Sequence, residues 1–238
     1  MGMKLFPAID LYGGQAVRLL HGDYQKMTVY SSEPLNVAQD FIDCGAENIH
    51  IVDLEGAKDG TTPNLKLIER IASLGLFVEV GGGIRSEEVA ARYLESGVGR
   101  VILGTAAVTD PALLERLVDQ HGEKIAVSVD LKDGYAAIRG WQEKSALSCD
   151  QLMARLQASG VKTVICTDIS RDGAMRGTNH ALYADLNARY PMDFIASGGV
   201  SSMEDVIALA DSGIYGAIIG KAYYTGAIDL RKAIEVTR

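Results

Sequence analysis

The 238-residue sequence predicts one α/β domain, a closed (β/α)8 TIM barrel assembled from two (β/α)4 halves at about residues 1–120 and 121–238. Three observations carry this. Strand-like runs alternate with helix-like runs eight times, and no Pro/Ser-rich linker divides them. The strand–glycine–helix junction Phe77-Val-Glu-Val-Gly-Gly-Gly-Ile-Arg-Ser86 has an echo in Asp193-Phe-Ile-Ala-Ser-Gly-Gly-Val-Ser-Ser202, with Gly82, Gly83, Ile84 and Ser86 falling on Gly198, Gly199, Val200 and Ser202. The same offset of 116 carries Val101-Ile-Leu-Gly-Thr-Ala106 onto Ala217-Ile-Ile-Gly-Lys-Ala222. An open doubly wound sheet would not usually repeat four units with matching glycines, and no G-x-G-x-x-G follows the first strand.

In chain order, Met3–Asp10 reads as the first strand, and Tyr12-Gly-Gly14 opens a long segment to Ser32 in which Gln15–Leu20 reads as an added hairpin arm. A helix follows over Pro34–Cys44, stopped by Gly45. Asn48–Asp53, Phe77–Val80 and Val101–Leu103 are the next strands. Their helices run over Asn64–Leu74, over Ser86–Ser96, and from an Asp110 cap with Pro111 at the first helical position, where no N–H is needed. In the second half, strand Ile125–Asp130 leads into a long loop, Leu131–Leu147, carrying an Asp133-Gly134 turn signal. Ser148-Cys-Asp-Gln151 is a capping box for the fifth helix. Strand Thr163–Asp168, loop Ser170–Thr178 and helix Asn179–Tyr190 come next. Phe194–Ala196, Ser201–Ser212, Ala217–Ile219 and Asp229–Val236 complete the series, with Ser201 and Glu204 expected as a second capping box.

A net charge of −8 without a Lys/Arg cluster argues against nucleic acid or an anionic membrane as partner. Any anion must be held locally, by backbone amides and a few basic side chains. The three cysteines, Cys44, Cys149 and Cys166, lack metal-type spacing and read as reduced thiols of a cytoplasmic protein, two of them buried as small hydrophobes. The chain runs almost at once into a strand without a charged-then-apolar leader, and no apolar run approaches the ~18 residues of a membrane span, so no secretory or membrane segment is expected.

Strand alternation locates the chemistry. Ala8 shares a face with Asp10, and Ala126 and Ser128 share one with Asp130, while Ile9, Val127 and Val129 point to the helices. Both carboxylates therefore face inward at the C-terminal rim, on the first and fifth strands, across the barrel from each other. Active sites of such barrels lie at that rim. Facing carboxylates suit general acid–base work when their surroundings keep one protonated and the other ionised. The glycine turns Gly82-Gly83 and Gly198-Gly199, with Gly104-Thr105 and Gly220-Lys221 after the fourth and eighth strands, supply two anion sites on opposite sides of the mouth. Two such sites flanking an acid–base pair imply a long substrate with a phosphate at each end.

Pro7-Ala-Ile-Asp10, Ala16-Val-Arg-Leu19, His50-Ile-Val-Asp-Leu54, Gly82-Gly-Ile-Arg85, Thr167-Asp-Ile-Ser-Arg-Asp-Gly173 and Ser197-Gly-Gly-Val200 together resemble the phosphoribosylformimino-aminoimidazole carboxamide ribotide isomerases of histidine biosynthesis, over essentially the whole chain. The resemblance implies an Amadori rearrangement of a bisphosphorylated aminoaldose to an aminoketose, with no metal or redox cofactor, by a monomer. It implies Asp10 as general base, Asp130 as general acid and Thr167 as a third catalytic residue. By position it also implies contacts to substrate or phosphate from Arg18, His50, Asp168, Asp172, Gly173 and Ser197. Arg85 follows the first glycine turn and could fork onto a phosphate or carboxamide. Trp141, the single tryptophan, sits with Arg139 in the long fifth loop as a lid that stacks on the imidazole. No second His or Cys completes a metal set with His50.

Three other readings share parts of this pattern. The sister cyclase of the pathway carries a Cys two before its first catalytic Asp and a Lys in the arm, where this chain has Ala8 and Arg18. Enzymes that also isomerise phosphoribosyl anthranilate read Ser-Gly-Gly-Ile-Arg, where this chain has Gly81. A non-catalytic sugar-phosphate binder would gain nothing from two inward negative charges. One departure is Ala-Met-Arg-Gly-Thr-Asn after Gly173, where the family more often has Thr-Leu and a proline before Asn; it leaves the sixth loop's closed shape open.

Overall fold

The computed structural model describes residues 2–20 and 23–238. Among them lie twelve strands: β1 (Lys4–Tyr12), β2 (Gln15–Leu20), β3 (Asp23–Ser31), β4 (Asn48–Asp53), β5 (Phe77–Gly81), β6 (Arg100–Leu103), β7 (Ile125–Lys132), β8 (Tyr135–Ile138), β9 (Glu143–Ser148), β10 (Thr163–Asp168), β11 (Asp193–Ser197) and β12 (Gly216–Ile219). Eight of these pair in parallel in the order β1-β4-β5-β6-β7-β10-β11-β12 and back to β1, which closes the barrel. β1 and β7 are four strands apart in that ring, so they face each other.

Alternation along these strands sorts the core into two layers. Phe6, Ala8, Ile102, Ala126, Ile165, Ile195 and Ile218 fill the narrow interior. Ile9, Val127, Val129 and Cys166 lie in the larger cluster between barrel and helices. Parallel strands covered on both faces need apolar residues at both parities, which is why these segments read as continuous hydrophobic runs.

The expected arm is a hairpin: β2 and β3 extend antiparallel from β1, although residues 21 and 22 within the segment fall outside the described residues. The long loop after the fifth barrel strand is a correction. It contains β8 and β9, a second antiparallel arm on β7. Its turn is the flagged Asp133-Gly134, with φ of 50° and 78°; Gly13-Gly14 turns the first arm with 58° and 73°. Two successive positive φ angles match the twist of hairpin strands.

Asp110 caps its helix through the Leu113 amide, and Ser148 with Gln151 forms a capping box. The other expected box is displaced by one residue. The helix begins at Met203, and the reciprocal pair is Ser202 with Asp205, not Ser201 with Glu204. Asp205 wins because its carboxylate also reaches the Ser201 amide and hydroxyl and thereby ties the glycine turn to the helix. Short helices at Leu54–Asp59, Thr105–Thr109 and Lys221–Tyr224 also form. Of the cysteines, only Cys166 is buried; Cys44 and Cys149 are half-buried.

Candidate active site

At the C-terminal ends of the barrel strands opens a cavity of about 950 Å3. Asp10 on β1 and Asp130 on β7 line it from opposite walls. Burial raises the Asp10 carboxyl above its ordinary range, against the downward pull of Arg18 and His50. Burial also raises Asp130, against the hydrogen bonds of Trp141 and Thr167 and with the negative charge of Asp172 adding to the shift. The two acids thus stand in different surroundings. Arg18 places a guanidinium nitrogen 3.6 Å from Asp10, whereas Asp130 accepts a 2.8 Å hydrogen bond from Trp141 Nε1 and lies in register with Thr167.

The two glycine junctions are built alike. Gly82 and Gly83 have φ of 115° and 71°, Gly198 and Gly199 of 87° and 79°, all disfavoured for side-chain-bearing residues. Their backbones also run close to neighbours: a Cβ on Gly83 would lie 1.8 Å from the Gly56 carbonyl oxygen, and one on Gly199 would lie 2.6 Å from that of Gly177. Beside each turn a short helix begins at a glycine of nearly the same conformation, Gly104 at φ −102°, ψ −108° and Gly220 at φ −103°, ψ −107°. First-turn amides of such helices have no intrahelical acceptor, and Gly104, Thr105, Gly220 and Lys221 all line the cavity. The match extends behind the site, where Asn64 donates to Asp53 at 2.9 Å and Asn179 donates to Asp168 at 2.7 Å.

The loops meet across the opening. Arg18 donates to both oxygens of Asp172, at 2.9 and 2.7 Å, tying the first arm to the loop after β10. Lys221 Nζ donates to the Gly173 carbonyl at 3.2 Å from the far side. On the second arm Arg139, Gly140 and Trp141 have φ of 55°, 63° and 70°, a run of left-handed residues that folds the tip back over Asp130. The Arg139 amide donates to Thr105 Oγ1, joining that tip to the short helix after β6.

His50, Arg85, Thr167 and Ser197 line the cavity with the two acids, the cradle glycines, the arm residues, Asp172 and Gly173, so the structure brings together every expected site residue except Asp168. Asp168 is placed outside the lining, where it accepts from the Ser170 amide and hydroxyl and from Asn179, shaping the loop rather than facing the opening. Arg85 reaches the lining while donating to the Ala57 carbonyl at 2.7 Å. Sequence reasoning missed Ser128, Lys58, Tyr24 and Met175, which share the lining. Ser128 was within reach, since it lies two residues before Asp130 on the same face. It also missed Glu79 and Arg100, buried beneath His50. A charged residue between Val78 and Val80 was the available signal. Among the described residues no three of His, Cys, Asp or Glu come together to hold a metal ion, and no helix is long and apolar enough to cross a membrane.

A closed barrel with acids on opposite walls between matching glycine cradles defines the class as a (β/α)8-barrel enzyme. The chain belongs to the histidine biosynthesis protein family, whose sequence profile matches residues 4–229. It is 45% identical over 237 residues to a protein of Brachyspira hyodysenteriae, covering 99% of this chain and 100% of the other. It is 48% identical to one from Lactococcus lactis subsp. cremoris, covering 97% and 95%, and 47% identical to one from Listeria monocytogenes, covering 98% of each. Each of these relatives is named 1-(5-phosphoribosyl)-5-((5-phosphoribosylamino)methylideneamino)imidazole-4-carboxamide isomerase.

Proposed function

We propose that this chain is the isomerase its relatives are named for, and that it rearranges the aminoaldose ribotide to the aminoketose with Asp10 and Asp130 as the working pair. One observation carries the reading: two acids on opposite walls stand between two cradles of nearly identical backbone, the arrangement a substrate with a phosphate at each end requires. Gly82, Gly83, Gly104 and Thr105 take one phosphate, and Gly198, Gly199, Gly220 and Lys221 the other. Remote grip on both ends then places the reacting sugar carbons over the acids.

Asp130, whose neighbours are neutral donors and the anionic Asp172, is the acid. It protonates the ribose ring oxygen; the C1–O bond breaks, and the nitrogen lone pair forms the Schiff base. Asp10, with the Arg18 charge beside it, is the base. It removes the C2 proton, and the C–H electron pair forms the enol as the C=N bond returns its electrons to nitrogen. Loss of the C2 hydroxyl proton and protonation of C1 then give the ketone. C1 gains the hydrogen that C2 loses, so no outside oxidant or reductant enters the balance. Thr167 orients Asp130, Trp141 and Arg139 close the mouth, and Arg18, Arg85 and Asp172 hold the loops and substrate.

The same reading takes the chain as a cytoplasmic monomer with halves at about 1–120 and 121–238. Purified protein incubated with the aminoaldose alone, without nucleotide, should yield the ketose. Unchanged aminoaldose at enzyme concentrations where the relatives turn over would overturn the proposal.

A further inference from the structure

Beneath the two aspartates, inside the barrel, lies a polar row that the mechanism above does not use. Ala8, His50, Glu79 and Arg100 are register partners on the four consecutive strands β1, β4, β5 and β6. His50 Nδ1 is 2.7 Å from Glu79 Oε1. Glu79 is wholly buried, and its other oxygen accepts from Arg100 Nε at 3.1 Å and Nη2 at 2.6 Å. Arg100 in turn donates to Thr163 Oγ1 at 3.0 Å, and its guanidinium lies against the rings of Phe6, Phe77 and Tyr215. Burial alone would push the Glu79 carboxyl up, but His50 and Arg100 together hold it below its ordinary range.

Building an ion pair into a barrel floor is expensive, and apolar residues of similar volume often serve stability as well or better. What the row does that apolar residues cannot is set a tautomer. A carboxylate only accepts, so the nitrogen facing it must carry the hydrogen. That leaves Nε2 as the ring nitrogen without a protein-imposed hydrogen, on a residue that lines the cavity two register positions before Asp10 is reached.

We infer that Glu79, held by Arg100, is a positioning residue that fixes His50 in its Nδ1-protonated tautomer, so that Nε2 accepts a hydrogen bond from a hydroxyl of the sugar beside Asp10. This rests on the isomerase reading for the identity of the sugar, but not for the tautomer. The logic is that of a metal-ligating histidine whose second nitrogen is held by a carboxylate, where losing the carboxylate costs on the order of 10–100-fold, with a sugar hydroxyl here in place of the metal.

Two measurements test it. The first is the ring 15N spectrum of the substrate-free wild-type protein near pH 8, with His50 assigned by comparison with His50→Asn. The expected pattern is hydrogen on Nδ1 with a bare Nε2, and hydrogen on Nε2, with or without one on Nδ1, would overturn the inference whether or not the protein is an isomerase. The second is steady-state kinetics of Glu79→Gln and of Glu79→Gln combined with Arg100→Met, each with its Tm. Glu79→Gln should lose about 10–100-fold in kcat with KM changed less than about threefold. It should also melt lower, since it leaves Arg100 unpaired. The double variant removes that unpaired charge and should melt closer to wild type while its kcat stays low. A kcat that recovers along with Tm would show Glu79 to be structural only and overturn the inference, while ketose formation by the wild type keeps the isomerase reading intact.

Discussion

Asp130→Asn separates chemistry from binding and from folding in one variant. Asn keeps the outline of the side chain and an oxygen to accept from Trp141 Nε1, the 2.8 Å bond of the wild type. What it loses is the titrating proton. A positioned general acid is worth about 10²–10⁴ in rate, or roughly 3–5 kcal/mol of barrier. The glycine cradles lie after β5, β6, β11 and β12, none of which carries Asp130, so binding through them should persist. Turnover should therefore fall by about 10²–10⁴ with KM within about threefold, measured by chromatographic separation of the two ribotides.

The same substitution makes a claim about stability, with a sign. The carboxyl of Asp130 is raised by burial, so the folded chain holds this proton more tightly than the unfolded chain does. Its contribution is complete at pH values below the unfolded carboxylate range and is lost as pH rises through the raised folded value. Wherever the pH ionises it in the folded chain this group opposes folding, so a neutral Asn should leave Tm equal to or a few degrees above wild type, with any advantage shrinking as the pH is lowered and the wild-type carboxyl takes up its proton. Full turnover in Asp130→Asn would refute the acid assignment. A large drop in Tm with loss of substrate binding would refute the view that the residue is held at the site for chemistry and not for the fold.

Three further outcomes follow from the same geometry. Gly83→Ala must accommodate a Cβ placed 1.8 Å from the Gly56 oxygen at φ 71°, and should cost about 2–3 kcal/mol in urea unfolding and weaken substrate binding; Gly13→Ala, at φ 58° with open space around it, should cost only about 1 kcal/mol. Arg18→Met removes the charge that lowers Asp10, so Asp10 should hold its proton to higher pH and the acid limb of kcat/KM should move upward; an unmoved limb would contradict Asp10 as the base. Asp205→Ala removes the acceptor of the Ser201 and Ser202 amides, with a loss of about 1–3 kcal/mol expected at pH 7. Burial acts to raise Asp205, yet hydrogen bonds from Ser201, His180 and Thr178 leave it lowered. Its stabilisation is therefore present above the unfolded carboxylate pKa and lost as pH falls through the folded one, and the variant's acid unfolding should be shallower.

The elements that the sequence made legible are those written in local chemistry. Pro111 after Asp110, the glycines at positive φ and the period-2 alternation that turned Asp10 and Asp130 inward each follow from one residue's own constraints. Misreadings arose where two local solutions were equally good. Ser201-Ser202-Met-Glu204-Asp205 offers two capping registers, and only the approach of the glycine turn to Asp205 selects the second. β8 and β9 were hidden because Tyr135–Ile138 is four residues long and Glu143–Ser148 buries none of its residues, so neither shows a clear apolar period. Glu79 and Arg100 were missed because their partners are distant in sequence: a charge in an apolar strand announces itself, but its counterion does not. Asp168 shows the converse limit. Motif position suggested a contact to substrate, and only the Asn179 and Ser170 bonds reveal a loop brace, repeated by Asp53 and Asn64 in the other half.

The most direct test of paired grip around paired acids is a crystal of Asp10→Asn, stalled before the C2 proton leaves, grown with the aminoaldose. The expected density has one phosphate on Gly82, Gly83 and Thr105, the other on Gly198, Gly199 and Lys221, and the reacting ribose between Asn at position 10 and Asp130. Both phosphates on one side of the mouth, or a ribose out of reach of Asp130, would contradict it.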